Sequence, residues 1–137
     1  MRFARFLFAV LALFCWSIGA SAAFEIEQQK RYATQNANQE MSILSTADVD
    51  VFEPILMAFQ EQNPGIAINY VVAGSQEVMK AIYEENASFD LVISSAMDLQ
   101  TKLANDGFAQ SYASEATDSM PTWARWRNQI FGFTQEP

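Results

Sequence analysis

Histidine is absent from the 137 residues. That removes the commonest general base and the commonest metal ligand. Cysteine occurs once, at Cys15, so neither a disulfide framework nor a thiolate metal cluster is available. Bases are scarce: eight Lys and Arg stand against sixteen Asp and Glu, for a net charge of −8. An acidic body repels nucleic acid and anionic membrane surfaces, which disfavours both as partners. The five glycines never take the spacing of a dinucleotide loop, and no GK[ST] phosphate grip occurs. Internal repeats, low-complexity blocks and heptads are missing too. What remains is half apolar, enough for the core of one domain but not two.

The first 23 residues read as a secretory signal peptide. Arg2 and Arg5 precede an apolar run from Phe6 to Ile18, and small residues follow from Gly19 to Ala23. This is the three-part grammar of a cleaved leader. The run is shorter than the roughly 18 residues of a membrane span. Cleavage fits after either Ala22 or Ala23, and no direct membrane insertion is expected afterwards. The expected location is the periplasm or the exterior. Cys15 leaves with the leader, because the Leu13 and Phe14 before it do not fit a lipoprotein signal. The mature chain then holds six bases and sixteen acids, a charge of −10.

Residues 24–40 are rich in Gln, Asn and Glu and read as a flexible polar leader. From Met41 the pattern becomes α/β. A β-prone run over 41–47 leads into a helical segment ending at Asn63-Pro64-Gly65. In it, Val51, Phe52, Ile55, Leu56 and Phe59 form an apolar face, with Asp48 or Asp50 as cap. Pro54 is tolerable there only in the first turn. A strand over 66–73, a helix over 76–87, a strand over 89–94 and a helix over 97–107 follow. Val78, Met79, Ile82 and Tyr83, then Met97, Leu99 and Leu103, should turn inward, and Gly107 should end the last helix. Three consecutive βα units predict a parallel sheet flanked by helices. Residues 109–120 read as loop, 121–128 as a turn or short helix, and 129–137 as the start of a strand.

Each strand ends in small or polar residues before a helix: Ser45-Thr46-Ala47, Ala73-Gly74-Ser75 and Ser94-Ser95-Ala96. A parallel sheet brings all three to its carboxyl edge, where open α/β sheets bind ligands. Helix starts there offer unpaired amides and partial positive charge. Small residues admit a polar or anionic solute to the backbone. The candidate ligand-binding residues are therefore Ser45, Thr46, Gly74, Ser75, Ser94 and Ser95. At any single junction, capping is the commoner role: Ser95 with Asp98 fits a capping box, Ser75 a helix cap, and Gly74 an unusual backbone angle. Trp123 and Trp126 could stack on a ligand, though packing over the sheet edge is the commoner role. No nucleophile–base pair, metal-ligand spacing or cofactor motif is found, so no enzyme activity, metal or cofactor is expected.

The order and spacing of these motifs resemble the opening of an extracellular solute-binding protein of an ABC importer. The type II group with the ferric-iron, thiamine and polyamine binders is the nearest. The resemblance rests on strand ends in "ILSTAD", an "F…NPG" helix, the strand "INY", the helix start "GSQE", the strand "FDLVIS", a helix ending "LANDG", and "WARWRNQIFGFTQEP" approaching an inter-lobe hinge. It implies an N-terminal lobe over 41–137, cut off before the hinge and second lobe. It also implies a small-molecule solute at the three junctions and a membrane permease as partner. A secreted sensory or interaction domain of the same fold is the alternative.

Overall fold

The structure, a computed structural model, describes residues 23–134. The expected signal peptide through residue 22 and the last three residues lie outside that range. Strand β1 (Gln28–Tyr32) is followed by β2 (Gln39–Ser45), α1 (Val49–Gln62), β3 (Ile66–Val72), α2 (Ser75–Tyr83), β4 (Leu91–Ile93) and α3 (Met97–Asn105). A short helix α4 (Glu115–Asp118), a 3-10 turn (Thr122–Ala124) and a hairpin of β5 (Arg125–Trp126) and β6 (Ile130–Phe131) complete the order. The three βα units pair as the hydrophobic pattern predicts. β2 runs parallel to β3 on one side and to β4 on the other, and the sheet order is β1-β3-β2-β4.

Alternate residues of these strands feed two cores, as period-2 geometry requires. Ile43, Ile68, Tyr70 and Val72 join Val49 and Leu56 of α1 on one face. Leu44, Val71 and Ala73 join Val78, Ala81 and Ile82 of α2 and Leu103 of α3 on the other. Gly107 has φ +89°. The amides of Gly107 and Phe108 donate to the carbonyls of Ala104 and Leu103 at 3.3 and 3.0 Å. These are the two bonds of a Schellman stop, which glycine's backbone freedom permits.

Several sequence expectations change. The polar stretch 24–40 is no mere leader: Gln28–Tyr32 forms an edge strand, antiparallel to β3 from Val72 to Ile68. Only Tyr32 of that strand is buried, so its apolar signal is a single residue. In α1, Val51 and Ile55 are 65% and 57% exposed. The buried stripe is centred on Val49, Phe52, Leu56 and Phe59, and Val51 and Ile55 lie about 100° to one side of it. Pro54 is the sixth residue of α1, beyond the first turn, on the exposed side where a missing amide is least costly. Met97 points outward. Residues 115–118 make a helical turn with a full Ser114–Thr117 capping box.

The short edge strand β4 is anchored at its entry. The Ser42 amide and hydroxyl both donate to one Asp90 carboxylate oxygen at 2.7 Å. The Asp90 amide returns a bond to the Ser42 carbonyl at 3.0 Å. The donated Ser42 bonds, the backbone amide first, hold the Asp90 carboxyl below its ordinary value. Because the folded value lies below the unfolded one, this contribution is present above pH ~4 and is lost as pH falls through the folded value. Asp90→Asn is therefore expected to lower the melting temperature at pH 7, with the gap to wild type closing as pH drops below ~4. A gap that is unchanged across an acid titration would remove this role for Asp90.

Candidate functional site

The parallel pairing carries all three strand-to-helix junctions to one edge of the sheet. The ladder extends slightly past the strands and ties those ends together. The Ala73 amide donates to the Ser45 carbonyl at 3.0 Å, and the Thr46 amide donates to the Ile93 carbonyl at 3.0 Å. From β2 the chain moves to β3, then crosses to β4 on the far side. Strand order therefore reverses beside β2, which places the crevice of an open α/β sheet at the ends of β2 and β4.

The six candidate residues divide by what their side chains already do. Ser45 is fully buried. Its Oγ accepts the Ala47 amide at 3.0 Å and lies 2.7 Å from the Tyr70 Oη, which is itself 2.9 Å from the Ala47 carbonyl. A carbonyl can only accept, so the single phenol proton goes to Ala47 and the Ser45 hydroxyl donates back to Tyr70. Burial raises the Tyr70 pKa, and the Ser45 bond partly offsets that. Ser45 thus faces the core and props the turn, with no surface to offer a solute directly.

Ser94 repeats this local device. Its Oγ accepts the Ala96 amide at 3.1 Å. Both junctions read Ser-Ser/Thr-Ala, and in both the first hydroxyl holds the alanine amide two residues on. The second residue of each pair is left outside that turn. Thr46 is half-buried and Ser95 is exposed. The Ser95–Asp98 capping box does not form: the N-cap of α3 is Ala96, with no side-chain bond. Ser95 contributes its carbonyl to the Met97 amide at 3.0 Å, so the backbone turns before a Ser95 cap can be made.

At the third junction Gly74, not Ser75, is the N-cap of α2, and Ser75 is the first helical residue. Gly74 has φ −62°, an ordinary angle, so no unusual backbone geometry requires glycine. Its constraint is spatial: a β-carbon would stand 3.3 Å from the Glu27 Oε1. Edge strand β1 and the residues before it, silent in the sequence reading, thus reach the site. Gln28 Oε1 accepts the Val49 amide at the start of α1 at 3.2 Å, and the Glu27 amide donates to the Val72 carbonyl at 2.9 Å. Asp48, expected as a cap, is the N-cap of α1 but makes no side-chain cap bond. No local pattern announces Gln28, because its partner is 21 residues away.

The tryptophans do not pack over the sheet edge as expected; Trp123 is 73% and Trp126 45% exposed. A depression of about 240 Å³ between Arg31, Asn38, Glu40 and Ala67 lies at the opposite, amino end of β2. Among the described residues no cluster of three metal-ligating side chains occurs, and no helix is long and apolar enough to cross a membrane.

The family model for bacterial extracellular solute-binding proteins matches residues 42–131. The chain belongs to this family. A solved relative, the substrate binding protein of the ABC transporter from Agrobacterium tumefaciens, is 33% identical with a TM-score of 0.67. The match covers 74% of this chain and 32% of that one, so this chain spans about a third of that relative's length. No curated protein matches. The family is described as one of solute-binding proteins, and the solved relative as a substrate-binding protein.

One consequence concerns the buried hydroxyl network. Tyr70→Phe keeps the ring but strips the Ala47 carbonyl of its donor and the Ser45 hydroxyl of its acceptor. Denaturant unfolding should show a loss of about 1–2 kcal/mol. A neutral effect would mean that the two groups are satisfied otherwise.

Proposed function

We propose that this chain is the solute-holding lobe of a periplasmic component of an ABC-type importer. Its solute is small and polar or anionic, and binds at the carboxyl ends of β2, β3 and β4. The observation that carries this reading is the convergence of the three junctions, two of which share the Ser-Ser/Thr-Ala turn. Thr46, Ser75 and Ser95 face the solute with their hydroxyls. Gly74 leaves room for the Glu27 carboxylate beside the start of α2, and Ser45 and Ser94 hold the turns from behind. Such an edge recognises a solute through hydroxyls and amides, without a formal positive charge. The partner that receives the solute is the importer's membrane permease.

Thermal-shift screening against phosphate, phosphonates, polyamines and thiamine tests the reading. Saturable stabilisation by one class is expected. Ser95→Ala, which removes a hydroxyl with no hydrogen bond among the described residues, should leave stability within about 0.5 kcal/mol. The same variant should weaken the stabilising solute several-fold. A Ser95→Ala protein that binds as wild type does would take this residue out of the site. No stabilisation by any compound would count against the lobe as a solute holder.

A further inference from the structure

Outside the strand edge, the β5–β6 hairpin holds a residue in an expensive conformation. Trp126 and Gln129 close a turn through the Gln129 amide, 2.9 Å from the Trp126 carbonyl. Both central residues are left-handed, Arg127 at φ 52° and Asn128 at φ 55°. Turns of this kind favour Asn-Gly, because a β-carbon is penalised at positive φ. Asparagine at the second position follows the rule, while arginine at the first does not. The surroundings impose this shape. The Tyr112 amide donates to the Asn128 carbonyl at 2.7 Å, and the Gln129 carboxamide donates to the Ala109 carbonyl at 2.7 Å.

Strain that is braced from outside points to a use for the side chain concerned. The Arg127 guanidinium stands 5.6 Å from the centre of the Trp126 ring. Among the described residues it has no carboxylate within ion-pair distance, unlike Arg125, which pairs with Asp118 at 3.6 Å. It is an exposed cation in a chain of net charge −8, beside the exposed indole of Trp126.

We propose that Arg127, with Trp126 beneath it and Trp123 nearby in sequence, is a binding site for a planar carboxylate. The guanidinium receives the anion in its fork of donors, and the indole face takes the planar body. The left-handed turn keeps the guanidinium at the hairpin tip over the ring. This site uses none of the six junction residues, and its test does not depend on theirs.

Tryptophan fluorescence of the whole protein, titrated with benzoate and with its neutral isostere benzamide, tests it. Benzoate should quench saturably, and benzamide at least tenfold more weakly. Arg127→Asn replaces the strained residue with one at ease at positive φ. It should lose at least tenfold in benzoate affinity while its melting temperature rises by roughly 2–5 °C. Arg127→Lys keeps charge and strain but lacks the planar fork of donors, and should lose several-fold in benzoate affinity with an unchanged melting temperature. Three results would each overturn the proposal: benzoate affinity unchanged in Arg127→Asn, benzamide binding as well as benzoate, or an Arg127→Asn protein that melts below wild type.

Discussion

The hydrogen-bonded position of β2 between β3 and β4 is the constraint from which the rest of this structure follows. Its seven residues pair with Ile66–Val72 on one side, and its last three with Leu91–Ile93 on the other. Ile43 turns into one core and Leu44 into the other. A one-residue slip would exchange those two side chains and carry Ser45 off the Tyr70 face. The same register that fills both cores therefore sets which hydroxyl at the strand end is buried and which is exposed. Two inter-strand amide bonds past the strand ends, from Ala73 and Thr46, leave little freedom for the junctions to drift apart.

The parallel units were legible in the sequence because their signal is local. Apolar periodicity within α1, α2 and α3 and near-continuous apolar runs in β3 and β4 need no knowledge of distant residues. The edge strand was not legible. Lys30 and Arg31 in β1 find their acids at Glu53 and Glu40, and Gln28 finds its amide at Val49. Such partners are chosen by the folded sheet, and a polar run beside them looks like a leader. The helix α1 shows the opposite error. Val51 and Ile55 satisfy the helical period but fall outside the stripe that the sheet covers, so periodicity overstates burial.

At the candidate site, the three junctions were legible and the roles of their hydroxyls were not. Small polar residues at a strand end announce a turn and an accessible backbone. They do not say which hydroxyl the turn consumes. In both Ser-Ser/Thr-Ala segments the first residue continues the strand's alternation inward and is taken by the amide two residues on. The second residue, displaced to the other side of the backbone, misses that amide. Capping rules favoured Ser95 because Asp98 stands three residues later, but the chain had already turned at Ser94.

This division has a physical reason beyond the two strands concerned. A hydroxyl that holds a turn and also contacts a solute would have to break one bond to make the other, and affinity would fall by that cost. Separating the two tasks onto neighbouring residues keeps the turn fixed while the outer hydroxyl is free to choose donor or acceptor. Burial of Ser45 against Tyr70 strengthens the arrangement, because a satisfied polar group in the core is costly to disturb and so resists motion of the turn. The edge that carries Thr46 and Ser95 is then preorganised by the neighbouring hydroxyls of Ser45 and Ser94, which are spent on the turns. The energy that shapes it comes from the same core that folds the sheet.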